Sequence, residues 1–343
     1  MENHEVLYRK YRPQNFNDVV GQENAVSLVS GAVTSGKPAH AYLFIGSRGL
    51  GKTTLARIFA RDIGCQGTDL YEMDGASRRR IDDIREVIES VKTLPMQSKY
   101  KVYIIDEVHM LTNEAFNALL KTLEEPPAHA IFILATTDDH KIPQTIRSRC
   151  QVVNFQVPTL AVLTKYILDI AKKENVKITN DAAAVLAYLA DGSYRDACGR
   201  LEEAIIHSTG SEINEDTLTM TSGIPQKKLL QSAVQAVVLP KGNEYIKQTL
   251  DMLASMQNIN HSLVLNLVLN RLRSLLMLRH GIVSAKDLDS TYGNDESLFL
   301  QNIAKDKAST INSATIIKVI NAISLTKISP IPVLPLELLI LGE

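Results

Sequence analysis

A glycine-rich segment near residue 50 has the residue types and the spacing that bind phosphate groups. Gly46-Ser47-Arg48-Gly49-Leu50-Gly51-Lys52-Thr53 matches the pattern G-x-x-x-x-G-K-[ST] at every fixed position. Glycines let backbone amides curl around phosphates, and the helix predicted to follow presents its positive end to them. We expect Lys52 to reach the β- and γ-phosphates of a nucleoside triphosphate, Thr53 to bind Mg²⁺ through its hydroxyl, and Thr54 to continue the nucleotide-binding segment.

An acidic pair further along the chain supplies the second half of this predicted site. Asp106-Glu107 directly follows the apolar run Val102–Ile105, a predicted buried strand, and ligands of open α/β sheets bind at the carboxyl ends of strands. We expect Asp106 to hold Mg²⁺ through water and Glu107 to orient and polarise the attacking water. The alternative is an acidic pair that merely caps the next helix. The sequence has no N-K-x-D motif for guanine, so ATP is the predicted nucleotide.

Short apolar runs predict the strands that must position these side chains. The runs are nearly continuous rather than alternating, which is typical of strands buried on both faces of a parallel sheet. The predicted strands are Ala41–Ile45, Val102–Ile105, Ile131–Ala135 and Cys150–Phe155. Amphipathic helical patterns lie between them, so residues 1–156 are predicted to form an α/β domain.

The strand signal ends after Phe155, and helical patterns follow. Thr159, Asn180 and Ser193 are placed to cap three helices. Residues 157–224 are predicted to form a small helical domain. Residues 225–343 are predicted to form an all-helical domain with long apolar stripes such as Ile259–Met277.

Composition and charge exclude several classes of protein. Hydrophobic residues make up 45% and charged residues 22% of the 343 residues, an ordinary globular balance. The formal net charge of −1 excludes nucleic-acid binding through bulk positive charge, so any such contact must be a local patch. The cysteines Cys65, Cys150 and Cys198 are too few and too far apart for a disulfide framework or a four-cysteine zinc site. No apolar run approaches membrane-spanning length and the N-terminus is polar, so we expect a cytoplasmic protein.

Further motifs resemble one known family. They are Tyr8–Pro13 (YRKYRP), Val20–Gln22, Asp106–Leu111 (DEVHML), Phe116–Pro127 (FNALLKTLEEPP), Leu134–Thr137, Ser148–Cys150, Gly192–Ala197 (GSYRDA) and Leu334–Leu338. With them the sequence resembles the gamma/tau subunits of bacterial DNA polymerase III, the motors of the sliding-clamp loader. The resemblance is close over most of residues 1–200. It implies an AAA+ P-loop domain with a parallel sheet, then a helical lid, then an all-α collar domain.

The resemblance also assigns roles to residues outside the two motifs. It implies that Arg12-Pro13 and Val20-Gly21 pack around the adenine base. It implies that Thr137 is sensor 1, a polar group near the γ-phosphate, and that Arg195 is sensor 2, which reaches from the lid to the phosphates. Arg149 would lie at the subunit edge and enter a neighbour's ATP site as an arginine finger, because a permanently charged guanidinium suits developing phosphoryl charge.

Two further features of the sequence concern DNA and zinc: a cluster of arginines before Ile81 and a short interval after Cys65. Ser77-Arg78-Arg79-Arg80 precedes the helix predicted from Ile81, where a hydroxyl, backbone amides and arginines can bind phosphates. The resemblance places this patch inside a ring against the DNA backbone. The alternative is that this short charge run is only solvated surface. The interval Cys65–Glu72 holds one cysteine and has no room for the family's four-cysteine zinc module. We therefore predict no zinc and a core position for Cys65.

These observations predict an ATP-driven clamp-loader motor that uses ATP and Mg²⁺. The implied partners are the sliding clamp, delta-like and delta-prime-like subunits in a pentameric ring, and primed DNA. The sequence ends at the collar, which predicts the short form without the tau tail. A non-hydrolysing structural loader subunit is disfavoured by the intact Lys52, Thr53, Asp106 and Glu107. An AAA+ helicase or branch-migration motor is disfavoured because nothing after the lid indicates a winged DNA-reading domain.

Overall fold

The structure, a computed structural model, describes residues 5–208, 212–214, 217–218, 225–240, 242–256 and 259–342, apart from the side chains of residues 290 and 291. The chain divides into two compact units. One comprises Met1–Tyr166 with Leu189–Arg200, and the other comprises Ile167–Tyr188 with Leu201–Glu343. The division into three domains ending at residues 156 and 224 stays a prediction, and residue 224 lies outside the described residues.

The first unit contains a parallel sheet of five strands in the described residues. The strands are β1 (Ala41–Ile45), β2 (Leu70–Asp74), β3 (Lys101–Asp106), β4 (Ala130–Thr136) and β5 (Gln151–Asn154), in the order β2-β3-β4-β1-β5. Each neighbouring pair is parallel. The predicted parallel α/β class is therefore confirmed, and so are the four predicted strands, the last of which is shorter than expected.

The strand β2 was not predicted, because its sequence contains no continuous apolar run. Its sequence is LYEMD, and of its side chains only that of Met73 is buried. The reason is its place at the edge of the sheet, where it pairs with β3 alone. An edge strand needs less apolar surface than a central one.

Helices pack on both faces of this sheet. Helices α2 (Glu23–Ser35) and α3 (Lys52–Asp62) contribute to the core on one face, and α4 (Ile81–Val91), α5 (Asn113–Glu124) and α6 (Gln144–Arg147) contribute to the core on the other. The short helix α1 (Leu7–Lys10) precedes them, and the chain continues through α7 (Leu160–Lys173), α8 (Asn180–Leu189) and α9 (Tyr194–Ser208). Successive β1 residues enter different cores: Leu43 packs in the core that contains Val87 of α4, whereas Phe44 packs in the core that contains Phe59 of α3. Burial on both faces explains why the strand sequences are continuously apolar.

The register of the central strands brings their carboxyl ends together. Ile45 at the end of β1 pairs with Thr136 at the end of β4, and Ile105 of β3 pairs with Leu134 of β4. The Gly46 amide then donates to the Thr136 carbonyl at 3.2 Å. The segments that follow β1, β3 and β4 therefore begin at one edge of the sheet.

The second unit is helical. Its described helices after α9 are α10 (Lys227–Val238), α11 (Glu244–Ser255), α12 (His261–Arg279), α13 (Ala285–Tyr292), α14 (Asn294–Lys305), α15 (Ser313–Thr326) and α16 (Leu334–Leu341). The apolar stripe of α12 contributes Val264, Val268 and Leu272 to the core. On the same helix, buried Arg271 donates to Glu296 at 2.7 Å. Across the described ranges, no helix is both long enough and apolar enough to cross a membrane.

Candidate active site

The phosphate-binding loop forms the turn between β1 and α3. Gly49 and Gly51 have φ angles of +79° and +95°, which residues with a side chain rarely adopt. Lys52 is the first residue of α3. A helix that begins here leaves its first amides without intrahelical acceptors, and such amides bind anions.

Lys52 is buried, with 5% of its surface exposed, and its amine lies over the loop. Its Nζ donates to the carbonyls of Gly46 at 2.7 Å and Ser47 at 3.0 Å. Burial lowers the pKa of the Lys52 amine, while the nearby carboxylates of Glu107 and Asp106 offset part of that shift. The Lys52 amine therefore lies where the sequence predicts that it meets the phosphates.

Thr53 and Asp106 come together across the sheet edge. The Thr53 hydroxyl donates to Asp106 Oδ2 at 2.5 Å, and Asp106 Oδ1 accepts the Glu107 amide at 2.9 Å. A hydroxyl and a carboxylate oxygen are ligands that Mg²⁺ accepts, together with water and phosphate oxygens. The pair therefore fits the predicted Mg²⁺ site.

Glu107 has an unusual backbone and a fixed carboxylate. Its φ of 46° and ψ of 44° are left-handed, a conformation that costs a residue with a side chain roughly 1–3 kcal/mol and is concentrated at functional sites. Thr137 Oγ1 donates to Glu107 Oε2 at 3.0 Å. The structure thus joins the predicted sensor 1 residue to the predicted base.

The segment predicted to contact adenine lies beside the loop. Arg12 Nε donates to Thr54 Oγ1 at 3.0 Å. Burial lowers the pKa of the Arg12 guanidinium, and the nearby positive charge of Arg57 lowers it further. A Cβ on Gly21, where φ is +69°, would lie 2.4 Å from the Tyr194 hydroxyl oxygen, so the position requires glycine.

The beginning of α9 contacts both of these segments. The Tyr194 amide donates to the Gly49 carbonyl at 3.1 Å, and the Tyr194 hydroxyl donates to the Val20 carbonyl at 2.8 Å. Arg195, the predicted sensor 2 residue, lies with its guanidinium carbon 5.9 Å from the Tyr8 ring centroid. Both α9 residues border the same space as the loop.

A cavity of about 680 Å³ connects these groups, a volume within the usual range for small-molecule sites. The sequence-predicted residues that line it are Arg12, Pro13, Val20, Arg48, Gly49, Leu50, Gly51, Lys52, Thr53, Thr54, Asp106, Glu107 and Arg195. Gly21, Gly46, Ser47 and Thr137 do not line it, but each contacts or adjoins a residue that does.

Arg149 lies away from this cavity. It precedes the edge strand β5, its Nη1 donates to the Thr145 carbonyl at 2.7 Å, and its Nη2 pairs with Glu124. The side chain is 32% exposed. A role for Arg149 in this chain's own site is therefore not supported by the geometry.

The arginine patch lies on the exposed segment between β2 and α4. The Ser77 hydroxyl donates to Asp74 Oδ2 at 2.8 Å, and the Arg80 amide donates to Asp83 Oδ2 at 3.0 Å. The Arg78 amide donates to the Asp74 carbonyl at 2.9 Å. These predicted phosphate donors are used within the chain, so a DNA contact would depend on the three exposed guanidinium groups.

Cys65 is 3% exposed and packs in the core between α3 and the sheet, as predicted. Burial raises the pKa of its thiol. In the part of the chain that the structure describes, no group of three or more His, Cys, Asp or Glu side chains is arranged to hold a metal ion. The absence of zinc stays a prediction.

The structure adds residues that sequence reasoning missed. Arg57 lines the cavity and makes a two-point contact with Glu72 of β2, both distances being 2.7 Å. Arg57 lies four residues after Thr53, one helical turn on, so its place on that face of α3 was predictable. Glu72 had no signal because β2 itself was not predicted. Tyr8 and Tyr194 lay in quoted motifs but carried no predicted contact.

Comparison with known proteins supplies relatives. A family profile described as "DNA polymerase III, delta subunit" matches residues 69–159. The chain is 40% identical over 246 residues to the DNA polymerase III subunit gamma of Buchnera aphidicola subsp. Acyrthosiphon pisum, covering 66% of this chain and 68% of the relative. It is 35% identical over 326 residues to the gamma subunit of Buchnera aphidicola subsp. Baizongia pistaciae, covering 88% and 86%. It is 43% identical to the Bacillus subtilis tau subunit but covers 43% of it, less than half of that relative.

Solved structures share the fold. The Thermotoga maritima RuvB Holliday junction branch migration motor aligns with a TM-score of 0.53 and 23% identity, covering 73% of this chain and 88% of that one. A variant of the same motor aligns with a TM-score of 0.54 and 21% identity, covering 89% and 96%. At these identities the likeness shows the fold alone, a parallel α/β domain followed by helices, which is the fold that the sequence predicts. The sequence relatives carry the assignment further: the chain belongs to the gamma/tau family of bacterial DNA polymerase III subunits.

Proposed function

We propose that this protein is the ATP-hydrolysing motor subunit of a bacterial sliding-clamp loader. One observation carries the hydrolytic part: Lys52, the Thr53–Asp106 pair and Glu107 line a single cavity at the carboxyl edge of the sheet. Membership of the gamma/tau family supports the clamp-loader part.

The chemistry of each side chain suits cleavage of a phosphoanhydride. The Lys52 ammonium neutralises charge on the β- and γ-phosphates. Thr53 and Asp106 would hold Mg²⁺, which supplies further charge neutralisation on the phosphate oxygens when bound. Glu107 accepts a proton from water as the water oxygen bonds to the γ-phosphorus. The bond from that phosphorus to the bridging oxygen breaks, and ADP leaves with the electron pair.

Other residues orient the nucleotide. Arg12-Pro13 and Val20-Gly21 would border the adenine, Thr137 would act near the γ-phosphate, and Arg195 would approach the phosphates from the lid. Arg12, Val20 and Arg195 all line the cavity, which supports these assignments. Thr137 is supported instead by its hydrogen bond to Glu107.

Replacement of Lys52 tests the hydrolytic function. Lys52→Ala removes the buried cation of the loop, so we expect ATP turnover to disappear and ATP affinity to fall strongly. Turnover is measured as phosphate release by the full chain assembled with its cognate loader subunits and clamp. Lys37 is exposed on the segment between α2 and β1, so Lys37→Ala serves as the control that should keep full turnover. Unchanged turnover in Lys52→Ala would refute the site.

Arg149 is proposed to complete the ATP site of a neighbouring subunit. Its place before an edge strand and away from its own cavity supports this, since nothing in its own site requires it. Such arginine fingers contribute roughly 10³–10⁵-fold in rate in P-loop hydrolases.

A mixing experiment tests catalysis across subunits. The variant Arg149→Ala keeps its own acids but lends no finger, and Glu107→Gln lends a finger but lacks the base. Mixed with an excess of Glu107→Gln, the Arg149→Ala chain should recover turnover above the sum of the two variants assayed separately. If turnover in the mixture equals that sum, Arg149 does not act in trans.

The remaining assignments concern partners. We infer that the loader is a pentameric ring with delta-like and delta-prime-like subunits, that it grips a sliding clamp, and that Arg78, Arg79 and Arg80 contact primed DNA through its phosphates. ATP-dependent loading of the cognate clamp onto primed DNA tests the whole proposal. A branch-migration motor should instead assemble as a hexamer, so the native mass of the assembly separates the two functions.

A further inference from the structure

The ring of His109 contacts the carboxylate of Glu107, two residues earlier in the chain. A turn over Val108–Met110, closed by the Met110 amide on the Glu107 carbonyl at 2.9 Å, brings the two side chains together. His109 Nδ1 lies 3.4 Å from Glu107 Oε2 and 3.0 Å from Thr136 Oγ1. The His109 side chain is 10% exposed. It therefore connects the proposed base to the last residue of β4.

The hydrogen bonds of Thr136 decide which atom of this contact carries the proton. The Thr136 hydroxyl donates to the Asp138 carbonyl at 3.1 Å and accepts the Asp138 amide at 3.0 Å. A hydroxyl has one proton and two lone pairs, so it can accept one more hydrogen bond but donate none. His109 Nδ1 must then be the donor to Thr136. Glu107 Oε2 lies 3.4 Å from the same Nδ1, beyond the usual hydrogen-bond distance, so the N–H attracts the carboxylate electrostatically, whereas a lone pair on Nδ1 would repel it.

We propose that His109 is a positioning residue for the hydrolysis proposed above, on which this inference rests. The Thr137 hydroxyl donates to Glu107 Oε2 at 3.0 Å, and the His109 Nδ1–H lies 3.4 Å from the same oxygen, so a hydrogen bond and an electrostatic contact together orient the carboxylate. Among the described residues, none donates a hydrogen bond to Glu107 Oε1, so Oε1 is the oxygen that receives the proton of the attacking water.

The need for a second contact follows from the mobility of a glutamate. The terminal torsion of a Glu side chain is broad and roughly two-fold, so one hydrogen bond restrains the carboxylate only weakly. The left-handed backbone of Glu107 sets the direction of its side chain, and the two contacts on Oε2 set its rotation. Loss of His109 should therefore lower the rate of the chemical step and leave ATP binding intact.

Three substitutions of His109 separate its donor from its bulk. Asparagine carries its amide nitrogen at the branch position of Nδ1, so His109→Asn keeps the donor. Leucine removes it, and glutamine moves the amide nitrogen to the position of Nε2. His109→Gln also keeps a polar side chain, so it serves as the loss variant if His109→Leu does not fold.

His129 offers a matched control, because it lies just before the start of β4, whereas His109 contacts Thr136 at the end of that strand. It precedes β4, is half-buried, and its Nε2 bonds the Val91 carbonyl at 3.0 Å, far from the candidate site in the register of the sheet. His129→Asn should leave both kinetic constants within about two-fold of the unsubstituted chain, as is usual for changes away from a site.

The experiment measures kcat and KM for phosphate release by the full chain assembled with its cognate loader subunits and clamp. We expect His109→Leu and His109→Gln to lower kcat by roughly 10-fold through loss of one of the two contacts that orient Glu107, with KM changed by less than about three-fold. His109→Asn should recover most of kcat. Equal losses in His109→Asn and His109→Gln, or a kcat unchanged in both loss variants, would overturn the inference. Lys52→Ala is run alongside: turnover that survives it refutes the proposed function itself, whereas its loss leaves only the role of His109 at stake.

Discussion

A methyl group at Gly49 tests the contact between the phosphate-binding loop and the beginning of α9. An added Cβ would lie 1.9 Å from Ser193 Oγ and 2.9 Å from Ser193 Cβ, at a residue whose φ is +79°. Ser193 is buried, and the next residue, Tyr194, donates its amide to the Gly49 carbonyl. The Gly49→Ala chain can therefore fold only if the start of α9 moves off the loop.

Gly36→Ala separates backbone strain from this collision. Gly36 has a φ of +64° and no atom within 4 Å of an added Cβ, so it should lose only the roughly 1–2 kcal/mol that a left-handed residue costs. Gly49→Ala adds overpacking of about 1–3 kcal/mol and the Tyr194 hydrogen bond, worth about 1 kcal/mol. We expect Gly49→Ala to lower the free energy of unfolding by about 2 kcal/mol or more beyond Gly36→Ala.

Urea unfolding of the unsubstituted chain and of each variant measures these free energies, and calorimetry measures the affinity of each chain for ATP. ATP affinity should fall in Gly49→Ala alone, since Arg195 follows the displaced residues. Ser193→Gly removes both colliding atoms, so the double variant with Gly49→Ala should recover most of the stability lost beyond Gly36→Ala. Equal destabilisation by Gly49→Ala and Gly36→Ala, or no recovery in the double variant, would refute the packing argument.

Three further predictions concern other parts of the molecule. Backbone amides of residues 96–98 donate to Asp69 and hold the pKa of its carboxyl below the usual range. The ionised Asp69 therefore stabilises the folded chain above about pH 4, and this contribution is lost as the pH falls through the pKa of the folded state. In Asp69→Asn, the free energy of unfolding should therefore fall less steeply as the pH is lowered below about 4. An equally steep fall in the variant and the unsubstituted chain would contradict this. Glu296→Ala leaves the buried Arg271 guanidinium without its carboxylate partner and should lower the free energy of unfolding in urea by about 3–5 kcal/mol. Replacing both Arg271 and Glu296 by leucine should lower it less. Replacing Arg78 and Arg80 by alanine should weaken DNA-stimulated ATP turnover, spare basal turnover, and reduce the salt dependence of DNA binding; an unchanged salt slope would exclude phosphate contacts there.

Much of the candidate site could be predicted because its chemistry restricts residue types over short stretches. Phosphate binding by backbone amides requires glycines followed by Lys52 and Thr53 within one turn, and both elements flanking that turn have strong local patterns. Asp106 and Glu107 were predictable for the same reason, because Asp106 ends, and Glu107 follows, a strand whose central residues are buried on both faces and therefore continuously apolar. The fold class follows from the alternation of such strands with amphipathic helices.

The contacts between these stretches depend on the tertiary structure. Sheet order and register bring the ends of β1, β3 and β4 together, and a strand sequence does not encode its partner. For this reason the Arg57–Glu72 contact, the edge strand β2, and the approach of Ser193 to Gly49 could not be predicted from local patterns.

The sequence by itself determined that this chain has a P-loop, an acidic pair and the motifs of its family, because each is a property of neighbouring residues. Only the tertiary structure decided which atoms meet: that Thr137 and His109 share one oxygen of Glu107, and that the donors near Arg78 are already used by Asp74. Hydrogen-bond geometry is fixed within a few tenths of an ångström, and such distances arise from packing between segments far apart in the chain.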